Sequence, residues 1–543
     1  MSGEFRPPWA PGWRQAAWEK LGEPWDLIII GGGITGAGIL AVAARCGVRA
    51  LLLEKGDFGS GTSSRSSKLV HGGLRYLKHM QVKLTRESVQ ERQYLLRAAP
   101  GLVDPLGFIY PVYKGDKPSP WVVQLGLGIY SRLASDAGKS KRLDREDISL
   151  LAPGLKIDGL ERGFHYADAQ TDDARLVLRL LHDGLASARG RALALNYCPV
   201  TRLVEKGNLV CGVRVKDEAS GGTAELAAGL VINATGVWAD ELRGQVGART
   251  RLRPLRGSHL FFSSERFPVY QAVAFSHPDD GRPVFVFPWE GITLVGTTDV
   301  DHDRSLSSEP SVSPEEADYL LRAAQFIFPE LALGRADVIS TQAGVRPVIS
   351  SGKKDPSEES REHAVWLENG LLTVTGGKLT TFRMTALDAL REAHRVNKKV
   401  PEPPAEIEVF EPTEPGPIGA GVDASRSRFL RGRYGRDASS IINDSPGQLE
   451  SIEDSPYLWS ELAWSAKHEA VHHLDDLLLR RLRLGIVRKD GGLGLLPRVK
   501  SIVQSRLGWD EDRWAFEVER FLRIRGIAHG LPEEWRNPRE GRS

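Results

Sequence analysis

Cysteine is scarce in this sequence: Cys46, Cys198 and Cys211 are the only three in 543 residues. Their number is odd and none stands in a CxxC spacing, which excludes a disulfide framework and a cysteine-built metal site and leads us to expect a reducing compartment. Long apolar runs are missing as well. No stretch approaches the roughly 18 to 20 apolar residues that span a bilayer, and the N-terminus has no basic segment followed by an apolar core. The expectation is a cytoplasmic chain that neither crosses a membrane nor carries an export signal. Charge of one sign is not in excess: 72 Lys and Arg face 70 Asp and Glu, a net charge of +2, so nothing global recommends a nucleic-acid partner. No internal repeat is visible.

What is present is ordinary globular material, 41% hydrophobic and 26% charged, in a chain long enough for two or more domains. Residues 1–24 form an extension with Trp9, Trp13 and Trp18 among prolines, either an interfacial anchor or a segment packed on the body. From Trp25 to Ile30 the sequence is apolar enough for a buried strand. A helical stretch, Ile39 to Cys46, and a second apolar strand, Arg49 to Leu53, complete a βαβ opening. Later strands are expected at Leu209–Val215, Leu230–Ala234, Val284–Phe287, Ile292–Val295 and Leu371–Thr375, with a helix at Arg175–Ala188. That mixture is an α/β or α+β architecture. Prolines and acids over 401–417 read as a linker, and residues 418–543 beyond it read as mostly helical.

Gly31-Gly32-Gly33-Ile34-Thr35-Gly36 satisfies G-x-G-x-x-G between a strand and a helix. Glycine permits the tight turn at the first position, backbone approach to a pyrophosphate at the second, and helix-on-strand packing at the third. The helix N-terminus offers unpaired N–H groups to the phosphates. Glu54 ends the next strand 21 residues after Gly33, where a carboxylate can accept from a ribose diol. This much fits NAD and FAD equally. The strand Leu230–Ala234 with its small-residue turn Thr235-Gly236 favours FAD, since flavoproteins of this fold close over the dinucleotide with such a turn.

The polar, glycine-rich segment Gly61-Thr62-Ser63-Ser64-Arg65-Ser66-Ser67-Lys68-Leu69-Val70-His71-Gly72-Gly73-Leu74-Arg75-Tyr76 resembles the flavin-contacting loop of FAD-dependent, respiratory glycerol-3-phosphate dehydrogenases. The likeness continues, in order, through Arg256-Gly257-Ser258-His259, Gly296-Thr297-Thr298-Asp299, Gly344-Val345-Arg346-Pro347 and Gly376-Gly377-Lys378-Leu379-Thr380-Thr381-Phe382-Arg383. It spans about residues 25–390, and Leu477-Leu478-Leu479-Arg480-Arg481 looks like that family's helical cap. The sequence departs from the family in its N-terminal extension and in Arg256, where a lysine is common. The resemblance implies a glutathione-reductase-type, Rossmann-like FAD domain interleaved with an antiparallel-sheet substrate domain over 25–400, plus the helical C-terminal cap domain. It also implies FAD contacts from Gly31, Gly33, Ile34, Thr35, Gly36, Glu54 and Lys55; from Thr62, Ser63, Ser64, Ser67, Lys68, His71, Gly73 and Leu74; and from Val200, Ala234, Thr235, Gly236, Trp238, Gly344, Gly377, Lys378, Leu379 and Thr380.

The activity implied is oxidation of sn-glycerol 3-phosphate to dihydroxyacetone phosphate, with hydride transfer to flavin N5 and electrons passed to membrane quinone. That chemistry needs the hydroxyl proton removed and the phosphate neutralised. The resemblance puts Arg75, Tyr76, His259, Arg346 and Arg361 around the substrate. His259, which titrates near neutrality, is the expected proton acceptor, and Lys378 belongs at the flavin pyrimidine edge. Oxygen as acceptor, as in glycerol-phosphate oxidases, remains an alternative, as do an amino-acid or amine oxidase and a non-catalytic flavin binder of the same fold. A homodimer and a peripheral contact with an anionic membrane surface are further expectations. Two local signals stand apart. His468-Glu469-Ala470-Val471-His472 matches the H-E-x-x-H of zinc hydrolases but lacks a third ligand, so a structural helix without metal is expected. Between Leu477 and Leu507 lie eight Lys or Arg among aliphatics, which suits either a lipid-facing surface or a solvated helix face of the cap domain.

Overall fold

The run Trp25–Ile30 forms a strand buried at five of its six positions, with parallel neighbours on both sides. A strand covered on both faces needs a continuous apolar pattern rather than an alternating one. The structure, a computed structural model, describes residues 7–73, 82–116, 119–133, 140–356 and 359–536. Its first sheet runs in the order His363–Glu368, Leu371–Gly376, Thr223–Asn233, Trp25–Ile30, Ala50–Leu53, Ala192–Leu195. All neighbours on that path are parallel except the outermost pair, 363–368 with 371–376. The helix Ile34–Arg45 lies on this sheet with Asp173–Ser187 and Phe382–Val396 packed against it. It starts five residues before the expected Ile39, immediately after Gly33, because the glycines themselves open the first turn.

The second sheet is built from segments that alternate along the chain with those of the first. Its order is Val300–Asp301, Leu252–Ser263, Ile292–Gly296, Pro283–Trp289, Ala272–Ser276, Val103–Tyr113, Leu160–Thr171, Leu69–Val70, and Val338–Ile349 pairs with Leu252–Ser263. The pairings are antiparallel except where Ala272–Ser276 runs parallel to Val103–Tyr113. Every strand expected from the sequence coincides with an observed one, Arg49–Leu53 and Leu230–Ala234 each overrunning theirs by one residue, and the Arg175–Ala188 helix is observed as Asp173–Ser187.

Residues 401–417 contain neither helix nor strand. They are strapped to the body nonetheless: Val409 and Phe410 are buried in the core of the first sheet, and the Val409 N–H donates to the Tyr94 hydroxyl. Helices follow from Ala424 onward. The H-E-x-x-H segment is not a helix. Helix Trp459–His468 stops at its first histidine and Ala470 takes a left-handed φ of 51°, so the two imidazoles do not share a helix face and the expected continuous helix is corrected. Glu469 instead enters the interior and pairs with Arg175. Among the described residues no cluster of His, Cys, Asp or Glu is able to hold a metal.

The basic stretch is corrected for three of its eight cations, while Lys489, Arg498 and Arg506 are exposed. Arg480, Arg481 and Arg483 are neither lipid-facing nor solvated; they are buried against Asp57, Asp172 and Asp173. Trp9, for its part, is buried, stacks on Phe58 at 5.2 Å between ring centroids and donates its Nε1–H to the Ala194 carbonyl. That places Trp9 in the body rather than at a membrane interface.

Candidate active site

A cavity of about 1730 Å³ is lined from both sheets, large enough for a dinucleotide and a small substrate together. At one end stands the glycine turn. Gly31 has φ of +112°, and a Cβ there would fall 2.5 Å from the Ala234 carbonyl oxygen; at Gly36 it would fall 1.9 Å from the Gly31 oxygen. Neither position admits a side chain, which keeps the start of the Ile34–Arg45 helix tight on the strand end, as a bound pyrophosphate requires. Ser63 Oγ accepts from the Ile34 N–H at 2.9 Å. Glu54 accepts from the Gly32 N–H at 2.6 Å and the Gly56 N–H at 2.8 Å, and burial pushes its carboxyl upward against those two bonds. Lys55 lies over the Trp238 ring at 3.7 Å, and both line the cavity.

Most of the residues expected at a flavin meet here. Gly31, Gly33, Ile34, Thr35, Glu54, Lys55, Thr62, Ser63, Ser67, His71, Gly73, Val200, Ala234, Thr235, Gly236, Trp238, Gly344, Gly377, Lys378, Leu379 and Thr380 all line the cavity. Gly36, Ser64 and Lys68 do not. Gly36 is the packing glycine behind the turn. The Lys68 side chain is wholly buried, donating to the Ser64 carbonyl at 2.8 Å, Asp173 at 2.9 Å and Gln342 at 3.2 Å. Burial draws its pKa down to about 8, with Asp173 opposing. Leu74, Arg75 and Tyr76 lie outside the described residues.

The cations expected at the substrate converge on one carboxylate. Arg346 Nη1 lies 2.9 Å from Asp299 Oδ1 and Arg361 Nη2 lies 2.5 Å from Oδ2. Arg346 also donates to Thr297 Oγ1 at 3.3 Å. Arg361 is mostly buried, yet its Nε and Nη1 have no hydrogen-bond partner among the described residues. Buried N–H groups left unpaired are costly, so the site is built for an acceptor that supplies several oxygens. Lys378 Nζ donates to Ser88 Oγ at 3.0 Å.

His259 lies on Leu252–Ser263, buried behind the cavity wall rather than on it. Its Nε2 is 2.9 Å from Ser67 Oγ, which does face the cavity. Its Nδ1 has no hydrogen-bond partner among the described residues. Burial first, then the charges of Lys68 and Arg346, hold its pKa well below the usual value, against a weak opposing pull from the Gln342 backbone. That direction favours a neutral imidazole, and Ser67 Oγ stands between its Nε2 and the cavity.

Two residues without an expected role organise this site. Asp299 was visible only as the last member of a motif, with nothing to mark it as the anchor of two arginines. Asp173 accepts from Ser66 N–H, Ser66 Oγ and Lys68, and pairs with Arg483 of the C-terminal region. Its signal, an acid opening a helix, is shared by many residues with no part in a site.

A strand, glycine turn and helix ending at a second-strand glutamate, facing an antiparallel sheet rich in cations, define a flavin-dependent oxidoreductase. Residues 26–384 match the family described as FAD dependent oxidoreductase, and residues 382–514 match the C-terminal domain of alpha-glycerophosphate oxidase. The chain belongs to the FAD-dependent oxidoreductase family, in the branch that holds the aerobic glycerol-3-phosphate dehydrogenases. The aerobic glycerol-3-phosphate dehydrogenase of Staphylococcus haemolyticus is 36% identical over 486 residues, covering 84% of this chain and 86% of that one. That of Staphylococcus aureus is 35% identical over 489 residues, with the same coverage. Among solved structures, the Bacillus halodurans glycerol-3-phosphate dehydrogenase complexed with FAD superposes with a TM-score of 0.75 at 28% identity, covering 96% of this chain and 99% of that one. An L-alpha-glycerophosphate oxidase from Mycoplasma pneumoniae shares the fold, with a TM-score of 0.55 at 16% identity over 72% of this chain and 98% of that one.

Proposed function

We propose that this chain oxidises sn-glycerol 3-phosphate to dihydroxyacetone phosphate and passes the electrons to a membrane quinone. The observation that carries the reading is the mostly buried Arg361, whose Nε and Nη1 have no partner among the described residues, beside Arg346 in a cavity that the dinucleotide turn also lines. Two guanidiniums suit a phosphate dianion, whose oxygens accept forked donors. One carboxylate between them holds both in place and leaves a net positive charge for the incoming anion.

Gly31, Gly33, Glu54 and the residues around Thr62–Ser63 would hold FAD, which would supply the acceptor for the hydride lost by the carbinol carbon. The remaining work belongs to the side chains. Arg346 and Arg361 fix the phosphate and so orient the carbon chain. The hydroxyl proton leaves through Ser67 Oγ to His259 Nε2. Once the phosphate neutralises Arg346, one of the charges that depress the imidazole is offset and its affinity for that proton rises. Lys378, on the cavity wall, would offset the negative charge of a reduced flavin bound there.

The test is anaerobic mixing of the purified holoprotein with glycerol 3-phosphate, glycerol and amino acids while flavin absorbance is followed. Bleaching by glycerol 3-phosphate alone is the expected result, and bleaching by amino acids alone overturns the proposal. The family match over 382–514 favours one second reading, oxygen as acceptor. Peroxide formation at the rate of substrate oxidation would establish it in place of the quinone.

A further inference from the structure

Arg346 and Arg361 stand on different supports. Arg346 belongs to the strand Val338–Ile349. Arg361 lies on the irregular stretch 350–362, which leaves that strand of the second sheet and enters His363–Glu368 of the first. A side chain on a loop is aimed less precisely than one on a strand unless other groups fix the loop. Arg282 is placed to do so. It precedes the strand Pro283–Trp289, at the end of a turn in which the His277 N–H donates to the Arg282 carbonyl at 2.7 Å and the Arg282 N–H donates to Asp280 at 3.0 Å. From there its Nη1 donates to the backbone carbonyl of Asp299 at 2.8 Å and its Nη2 to Asp355 Oδ1 at 3.3 Å. One guanidinium thus spans the residue whose carboxylate pairs with Arg361 and the loop that carries Arg361.

Arg282 lines the cavity, but its donors are turned toward the protein. Asp280 lies 3.5 Å from its Nε and Asp355 takes its Nη2, so two carboxylates offset its charge. Arg361 differs, with Nε and Nη1 lacking a partner among the described residues. The work of Arg282 is therefore mechanical, and it needs the planar fork: a lysine ammonium in its place would keep the charge without reaching both acceptors. A second arginine ties the same two segments. Arg253 donates to both carboxylate oxygens of Asp301, at 2.6 and 2.8 Å, and to the Lys353 carbonyl at 2.7 Å.

We infer that Arg282 is a positioning residue for anion recognition, a brace that holds Asp299 and the 350–362 loop at a fixed separation so that Arg361 meets a phosphate together with Arg346. This rests on the reading under Proposed function that a phosphate occupies the space before those two arginines. Its consequence is that affinity for the dianion depends on a group that does not touch it. Without Arg282 the strand-borne Arg346 keeps its place while Arg361 loses its aim, and a guanidinium that is not held in place gives back part of what a forked contact gains.

The test is calorimetric titration of the holoprotein with inorganic phosphate at constant ionic strength, on wild type, Arg282→Ala, Arg282→Lys and Asp355→Ala, with flavin content read from absorbance. Arg282→Ala is expected to bind phosphate about tenfold more weakly with flavin content retained, and its KM for glycerol 3-phosphate rises in step. Arg282→Lys recovers little of that loss. Asp355→Ala separates bracing from charge: deleting an acid near an anion site strengthens binding through the field alone, whereas loss of a brace weakens it. Phosphate affinity equal to wild type in Arg282→Ala, full recovery in Arg282→Lys, or tighter binding in Asp355→Ala overturns the proposal. So does wild type that does not bind phosphate. Wild type that binds phosphate but is not reduced by glycerol 3-phosphate condemns the substrate reading and leaves the brace standing.

Discussion

Asp299 holds Arg346 and Arg361 at once, so each guanidinium is aimed before any anion arrives. A charge-assisted hydrogen bond removed from such a site costs about 1.5–3 kcal/mol, roughly 10- to 100-fold in binding. Arg346→Ala is expected to raise KM for glycerol 3-phosphate by that factor with flavin content unchanged; steady-state kinetics beside flavin absorbance decide it, and an unaltered KM removes Arg346 from the substrate's contacts. His259 gives a prediction in pH. Its folded pKa is depressed, so between that value and the unfolded value of about 6.5 the unfolded chain binds a proton that the folded chain refuses. Stability therefore rises with pH through this window, is complete above it, and is lost toward acid. His259→Gln is expected to flatten the acid limb of a plot of melting temperature against pH. A limb as steep as that of wild type would put the acid sensitivity in other groups, such as the buried His529.

At the scale of elements, the glycine turn decides cofactor retention. Alanine at Gly36 would press its Cβ against the Gly31 oxygen, forcing the helix off the strand end at a cost of about 1–3 kcal/mol. Gly36→Ala is expected to purify with at least about tenfold less flavin while keeping its far-ultraviolet circular dichroism. Full flavin occupancy would mean that the turn tolerates the shift. This element was readable in advance because its signals are local: an apolar run, glycines at fixed offsets, an acid at the end of the next strand. H-E-x-x-H misled for the converse reason. Its spacing implies metal geometry only on a continuous helix, and the helix ends at His468, where Glu469 turns inward to pair with Arg175. Three of the eight basic residues after Leu477, Arg480, Arg481 and Arg483, misled likewise, since composition does not distinguish an arginine at a surface from one buried on an aspartate.

At the scale of the whole molecule, buried ion pairs join the C-terminal helices to the nucleotide-type half. Asp57, just past the second strand, receives Arg481 at 2.8 Å and also Arg480. Asp172 receives Arg483 at 2.7 Å and Arg433 at 3.1 Å. Removing one partner strands a charge in the interior, a loss of about 3–5 kcal/mol. Asp57→Ala is therefore expected to lower the unfolding midpoint in urea by that much stability, with Asp57→Asn milder. A variant as stable as wild type would show that the clamp is dispensable.

From the sequence alone came the two-part α/β plan, the dinucleotide turn, its acid, and a set of site residues most of which line the cavity, because each is written in short-range periodicity or in motifs a few residues long. Tertiary structure decided which charges meet: Asp299 between two arginines, Ser67 between His259 and the cavity, three cap arginines on Asp57, Asp172 and Asp173, and Arg282 between Asp299 and Asp355. These depend on contacts between segments tens to hundreds of residues apart. Burial and pairing are properties of the packed chain, and no residue carries them by itself.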